Sequence, residues 1–383
     1  AGLSVCNPFD YKNVITVDMG GTSFDITLTK DGNTNLNKNI DFLRYRIGIP
    51  MIQVETLGAG GGSIGWIDEM GLLQVGPQSA GAEPGPACYD KGGEKPTVSD
   101  ANLILGYLNP EGLVGGKLPL NYDNAYQAIK KYIAKPLDLT VEKAAYGMFT
   151  IVNNNMVNGI RRVTVERGYD PRDFVLVAGG GATGAHITAL AKEMGIKTVI
   201  VSKLSSGLCA YGQIISDVKY NYMATIPMRL DSKEAPEKIN NTFKEIESNG
   251  INHLKKDGFA KSQINIFRSL EMRYVGQIHE CTVNIDYFEI NNESIDKITK
   301  AFHNRHEELY TYSEVESPVE LVNIESTIYG RIDRPTYKEL ENKDNIKNAI
   351  KSSRNLIFSE IGNLINTTVY DGNKLTPGDK ISG

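Results

Sequence analysis

Apolar positions change their period along the chain, and each change marks an element. In NVITVD (13–18) and FDITLTK (24–30) apolar and polar residues alternate, the two-residue period of half-buried strands, and MGGTS (19–23) between them is short enough for a hairpin. From Thr140 to Arg167 the period lengthens. Ala144, Met148, Ile151, Val152, Met156 and Ile160 recur at helical spacing and predict one long amphipathic helix. FVLVA (174–178), GGGATG (179–184), AHITALAKEMG (185–195) and KTVIVS (197–202) read as strand, glycine turn, helix and strand, a unit whose strands run parallel. After Thr225 glycine thins out while Asn and Lys rise. An amphipathic helix at Ala235–Gly250 leads into RSLEMRYVGQIHECTVNID, read as an extended strand region with 271–285 as an internal strand. A helix at Ser294–Tyr310 and a strand at Val319–Tyr329 follow, and the Asn/Lys-rich stretch 338–355 reads as exposed helix or linker. The predicted organisation is an α/β domain over 1–225 and a smaller α+β domain over 226–383.

Composition narrows the class. Forty-one Lys+Arg against 46 Asp+Glu give a net charge of -5, with no basic block interleaved with aromatics, so nucleic acid is not expected as a partner. Apolar runs such as VLVA (175–178) and VIV (199–201) fall far short of the ~18 residues of a membrane span, so no membrane association is expected. The four cysteines, Cys6, Cys88, Cys209 and Cys281, are scattered without CxxC spacing and fit free thiols of a cytoplasmic protein. The chain lacks a starting Met and stops at DKISG, which reads as a piece of something longer.

Glycine is 38 of 383 residues and clusters at 58–62, 81–93, 112–116 and 179–184. Three segments could carry chemistry. In VDMGGTSFDITL (17–28), Gly20 and Gly21 let backbone N–H groups approach phosphate oxygens, Thr22 adds a hydroxyl, Asp18 can hold a hydrated Mg²⁺, and Asp25 stands on the returning strand. The same residues suit an ordinary polar hairpin turn. In LVAGGGATGAH (176–186), Gly179, Gly180 and Gly181 before a helix N-terminus offer a flat surface to a base or ribose, and they equally suit a tight strand-to-helix turn. In GAGGGS (58–63), Gly58, Gly60, Gly61, Gly62 and Ser63 suit close approach to a phosphoryl group or carbonyl, and they equally suit a plain chain reversal. Function is the expectation there, because so many glycines maximise the entropy lost on ordering.

Other residues read more plainly. TVSD (97–100) resembles a capping box, making Asp100 a cap. Cys88 has no neighbouring His or Lys in sequence to activate it. His303 and His306 lack a third ligand of matching spacing and read as a solvated helix face. The two-residue period places Arg273, Val275, Gln277, His279 and Cys281 on one strand face, so Arg273, Gln277 and His279 are candidate substrate contacts in a pocket wall or domain contact, with ordinary edge-strand exposure the alternative.

Strand-DxGGT-strand followed by strand-GGG-helix resembles the second lobe of the actin-like ATPase (ribonuclease H-like) superfamily. TLGAGGGSIGWID (56–68), VGPQSAGAEPGPACYDKGGEKPTVSDANLILGYL (75–108), RRVTVERGYDPRDF (161–174) and EMRYVGQIHE (271–280) closely resemble the hydantoinase A/5-oxoprolinase family. That resemblance implies ATP and Mg²⁺ as cofactors. Asp18 would position Mg²⁺ through water, Gly20, Gly21, Thr22 and Ser23 would hold phosphates, Asp25 would steady the loop or orient water, and Gly179, Gly180 and Gly181 would pack on the adenosine. The implied activity is ATP-dependent hydrolysis of a small cyclic amide or imide of hydantoin or 5-oxoproline type, completed by a B-type subunit or domain. The nucleotide-binding subunit of an acetone or acetophenone carboxylase is an alternative, as is a non-catalytic nucleotide-binding assembly module. LVAGGGATGAH also departs from the GGAGPLHA form of better-known hydantoinases. Family members open with an N-terminal lobe carrying DxGGTFTD, and this sequence holds no second copy of such a motif. The expectation is a fragment, inactive alone, made of the second lobe and the C-terminal domain.

Overall fold

Strand β1 (Val14–Met19) buries Val14, Ile15, Val17 and Met19 and leaves Thr16 and Asp18 partly open, as its alternation requires. The computed structural model to which it belongs describes residues 1–382 apart from 38–39, 43, 48–50, 114, 288, 336–345 and 359–363. Strand β2 (Phe24–Lys30) returns antiparallel to β1, and its far edge takes β3 (Asn33–Thr34) and β4 (Glu55–Leu57). A separate hairpin joins β5 (Ser63–Ile67) to β6 (Leu73–Ser79). On the other side of β1 lie β7 (Val175–Gly179) and then β8 (Val199–Val201), both parallel, so the sheet order is β8-β7-β1-β2-β3 with β4 beside β2.

Helices cover this sheet, among them the two that the period predicts at 140–167 and 185–195. The helix at Val98–Ile104 (α1) opens on a capping box in which Thr97 and Asp100 satisfy each other's backbone N–H groups. Helix α2 spans Tyr122–Ile129. The long helix is α3 (Val141–Val163), capped by Thr140 and buried along Ala144, Met148, Val152, Met156 and Ile160. Its Gly159 lies where a side chain would strike Leu57 and Ile26, so this glycine sets how closely α3 approaches the sheet. Helix α4 (Ile187–Met194) connects β7 to β8 as the crossover of a parallel pair, and α5 (Leu208–Ile214) follows.

The second unit, Ile215–Thr336, has its own core and an antiparallel sheet. Its strands are β9 (Val218–Arg229), β10 (Ile264–Tyr274), β11 (Cys281–Ile285) and β12 (Val319–Gly330), in the order β9-β12-β10-β11. Helix α6 (Ala235–Lys256) packs on β9 and β12, and α7 (Asn292–Tyr310) packs on β11. The chain then returns to the first unit as a hairpin of β13 (Ile350–Ile357) and β14 (Leu364–Tyr370).

By compactness the chain divides at 214/215, with Tyr337–Gly383 returning to the first unit, while the expected boundary at 225 lies inside β9, where the register of its ladder with β12 shifts between Thr225 and Met228. Two expectations meet a different arrangement. Region 271–285 is two strands, because Gly276 takes φ +93 and turns the chain between β10 and β11. Within the expected helix or linker at 338–355, residues 338–345 lie outside the described residues. The remainder is a short 3₁₀ turn at Ile346–Ala349 followed by strand, where β13 pairs with β14.

Candidate functional site

Because β1 and β7 run parallel, their C-terminal ends meet at one edge of the sheet, and the register sets Asp18 beside Gly179. The antiparallel ladder sets Asp18 opposite Asp25, so the two carboxylates share a face. Asp25 is fixed by Thr56, whose hydroxyl donates to Oδ1 at 2.6 Å, with Ser23 Oγ at 3.5 Å from Oδ2. Asp18 Oδ2 accepts from the Cys209 thiol at 2.9 Å. That hydrogen bond, together with burial, pushes the Cys209 thiol up to about 11, so it remains a donor at neutral pH.

The glycine loops are pinned to one another. Gly180 has φ +81, and a Cβ there would lie 2.5 Å from Asp18 Oδ1 and closer still to the Met19 carbonyl, so only glycine lets β7 turn beside Asp18. Ala182 N–H donates to Met19 O at 3.1 Å, and Gly180 N–H donates to Ser205 O at 2.8 Å. Thr183 is fully buried and acts as a latch. Its Oγ1 accepts from Met19 N–H at 2.8 Å and donates to the Gly179 carbonyl, tying the ends of β1 and β7 together.

Gly60, Gly61 and Gly62 have a role different from the one their sequence suggests. Gly61 N–H donates to Gly20 O at 3.0 Å, Gly62 N–H to Gly21 O at 2.6 Å, and Gly60 N–H to Ser63 Oγ at 2.8 Å. Their donors are committed within the chain, and the loop braces the hairpin tip from behind. A Cβ on Gly60 would lie 2.5 Å from Thr22 N, so the brace depends on glycine. Among the described residues, the N–H groups of Gly21, Thr22 and Gly181 meet no acceptor. Beside Gly20, Gly21 and Gly181 a Cβ would meet nothing within 4 Å. The result is an open cradle of unpaired amides next to two carboxylates.

Arg273, Gln277 and His279 lie in the second unit and do not form one strand face. Arg273 Nε donates to Glu320 at 2.6 Å, and its guanidinium also lies 3.5 Å from Glu280. Gln277 stands in the turn with Nε2 3.1 Å from His306 Nε2, and His279 is exposed in the same turn. His303 and His306 are buried rather than solvated, because α7 turns them toward Tyr274. The Tyr274 hydroxyl lies 2.7 Å from His303 Nδ1, and His306 Nδ1 donates to the Tyr312 carbonyl at 2.8 Å. Burial first, and then His306, lowers the pKa of His303. Among the described residues no cluster of three or more His, Cys, Asp and Glu could hold a metal by itself. Cys88 is buried with its thiol pushed up by burial and by Asp100, so it is inert, and Asp100 is the expected cap. Sequence reading missed Cys209 and the latch role of Thr183, since neither residue carries a local signal of its distant partner.

A parallel strand pair flanked by an antiparallel hairpin, with glycine loops converging at one edge, is an actin-like ATPase-type lobe. The chain superposes on the crystal structure of the ATP-dependent caprolactamase from Pseudomonas jessenii with a TM-score of 0.81 and 51% identity, covering 100% of this chain and 56% of that one. On a nucleotide-free acetone carboxylase, solved in work on ATP-dependent acetone carboxylation, it superposes with a TM-score of 0.84 and 25% identity, covering 99% and 55%. In sequence it is 52% identical to caprolactamase subunit alpha of Pseudomonas jessenii over 386 residues, 100% of this chain and 56% of the relative. The hydantoinase/oxoprolinase model matches residues 4–222, and that of the hydantoinase/oxoprolinase C-terminal domain matches 228–383. The chain belongs to the hydantoinase/oxoprolinase family. It spans about half the length of the relatives it matches. No helix among the described residues is long and apolar enough to cross a membrane.

Proposed function

We propose that the chain supplies one phosphate-gripping lobe of a cytoplasmic ATP-dependent amidohydrolase that opens a cyclic amide or imide of the hydantoin or 5-oxoproline type. The observation that carries this reading is the register that sets Asp18 beside both Gly179 and Asp25 at the mouth of the open glycine cradle. ATP fits the cradle. Gly21 and Thr22 offer unpaired N–H donors to phosphate oxygens beside Gly20 and Ser23, and Gly179 and Gly180 turn the chain so that Gly181 presents an open backbone surface for the adenosine. Mg²⁺ fits too, since that ion keeps several waters and takes one or two protein carboxylates plus phosphate oxygens. Asp18 would hold it through water, with the Cys209 thiol fixing the carboxylate rotamer. Asp25, locked by Thr56, steadies the loop or orients a water.

A lactam carbonyl is resonance-stabilised, and phosphoryl transfer from ATP to its oxygen, with release of ADP, activates the carbonyl carbon: water adds there, the ring C–N bond breaks as the nitrogen takes up a proton, and the acyl phosphate left behind is hydrolysed by a second water to carboxylate and phosphate. The protein's part is alignment and charge stabilisation around that transfer. A second lobe with its own phosphate loop and a B-type subunit or domain would complete the enzyme. Identity favours the amidohydrolase over the carboxylase alternative, at 51% to the caprolactamase against 25% to the acetone carboxylase. The test is phosphate release by the chain reconstituted with such a lobe and B-type subunit. Hydantoin, 5-oxoproline or caprolactam should stimulate release, and Asp18→Asn should abolish it because the charge that holds the metal is lost. Full turnover by Asp18→Asn, or no response to any cyclic amide, would reject the reading. The chain alone should bind MgATP weakly by calorimetry and show no lactam-stimulated hydrolysis.

A further inference from the structure

Behind the glycine loops, α3, α4 and β13 line a half-open cavity of about 570 Å³, within the range typical of small-molecule sites. None of Asp18, Gly20, Gly21, Thr22, Ser23 or Gly179–Gly181 lines it, so it is separate from the cradle. Its walls are aromatic. Tyr146 and Phe149 come from α3, while Tyr107 and Phe358 flank them, with the Tyr107 ring 5.0 Å from Phe149 and 6.5 Å from Phe358.

The strand that closes the cavity is held in place by its backbone. Ile357 N–H donates to Leu105 O at 3.1 Å, and the Tyr107 hydroxyl donates to Ile357 O at 2.6 Å. Gly106, at φ +82, lets Asn355 approach so closely that a side chain at 106 would strike its carbonyl. This docking carries Arg354 to the cavity wall. Arg354 Nε is buried without a partner, and among the described residues the guanidinium makes no hydrogen bond or ion pair. Glu193, the carboxylate in the lining, lies instead 3.7 Å from Arg161. Lys192 adds a second cation to the same wall. Arg354 is half-buried, but an Nε–H sealed from water without an acceptor is costly, and the group that would relieve it is an anion with a planar fork of two oxygens.

We propose that this cavity binds a small organic carboxylate, with the carboxylate paired to Arg354 and a compact or planar apolar body held between the aromatic walls. The site touches the glycine loop from behind. Gly184 and Ala185 line it, and so does Asn153, whose Oδ1 lies 2.8 Å from Nδ1 of His186. The inference does not depend on the chemistry proposed for the cradle.

Titration of the chain with benzoate and phenylacetate, followed by saturation-transfer NMR and calorimetry, tests it. Benzoate should bind, and benzamide, its neutral isostere, should bind at least tenfold more weakly. Arg354→Gln should lower benzoate affinity to the level of benzamide with an unchanged or higher melting temperature. Arg354→Lys, which keeps the charge and loses the fork, should fall between and serves if the first variant folds poorly. Asp18→Asn should leave benzoate binding unchanged, so failure of the ATP reading is scored separately. Equal binding of benzoate and benzamide, unaltered binding in Arg354→Gln, or no binding of either carboxylate would overturn the proposal. Displacement of benzoate by adenosine would also overturn it, by assigning the cavity to the nucleotide.

Discussion

Two adjacent glycines separate support of the fold from contact with a ligand. At Gly180 the positive φ and the approach to Asp18 and Met19 leave no room for a Cβ, so Gly180→Ala should destabilise the first unit by ~1–3 kcal/mol in urea unfolding. Gly181 has ordinary φ and open space, so Gly181→Ala should keep stability within ~0.5 kcal/mol of the parent while weakening MgATP binding in calorimetry. Loss of stability without loss of ATP binding in Gly181→Ala would remove this residue from the nucleotide surface. His186 makes a pH prediction at the same scale. It is the single histidine of the first unit, fully buried between Asn102 and Asn153, and burial depresses its pKa to about 3. The fold holds it neutral while the unfolded chain takes up a proton near ~6.5. Its contribution is therefore complete above that pH and is lost as pH falls toward 3, at up to ~1.4 kcal/mol per pH unit. Urea midpoints of the first unit should fall between pH 6.5 and 5, and His186→Gln should flatten that slope. A parent protein insensitive to pH over this window would contradict the assignment.

At the scale of elements, α1 shows how one carboxylate organises a loop as well as a helix. Asp100 accepts from Thr97 N–H and Oγ1, both at 2.7 Å, and from Cys88 N–H at 2.7 Å and Ala87 N–H at 3.3 Å. The cap therefore also anchors the turn at 86–90. Asp100→Asn places an amide against these donors and should cost at least ~2 kcal/mol by urea unfolding, more than an ordinary cap. A loss below 1 kcal/mol, on the order of a simple surface cap, would mean that the turn is held by other contacts.

On the scale of the whole molecule, the two units have separate cores and should unfold as separate cooperative transitions in calorimetry. The second is centred on an ion pair. Arg268 Nε donates to Glu247 Oε1 at 2.6 Å, both side chains are nearly sealed from solvent, and the guanidinium lies over the Phe243 ring. Glu247→Gln removes the carboxylate that Arg268 grips with Nε and Nη2 and should destabilise that transition by ~3–5 kcal/mol without shifting the other. A single transition, or a shift of both, would show that the cores unfold together.

The sequence by itself determined the elements and the glycine loops. Strand alternation in β1 and β2, the helical period of α3 and the order strand, glycine turn, helix and strand at 174–202 follow from local sterics and from which face each segment must bury. The hairpin at 19–23 and the cap at Asp100 were legible for the same reason, since their partners lie within a few residues. Tertiary structure decided what those elements meet. Thr183 latches Met19 across 164 residues, and Cys209 reaches Asp18 across 191. Gly60–Gly62 spend their amides bracing the hairpin tip, while α7 buries the two histidines that its polar neighbours suggested were solvated. The docking of β13 on Leu105–Tyr107 carries Arg354 to an aromatic wall. Such pairings depend on packing between distant segments, and a one-dimensional pattern of polarity holds no record of which distant residue will face which.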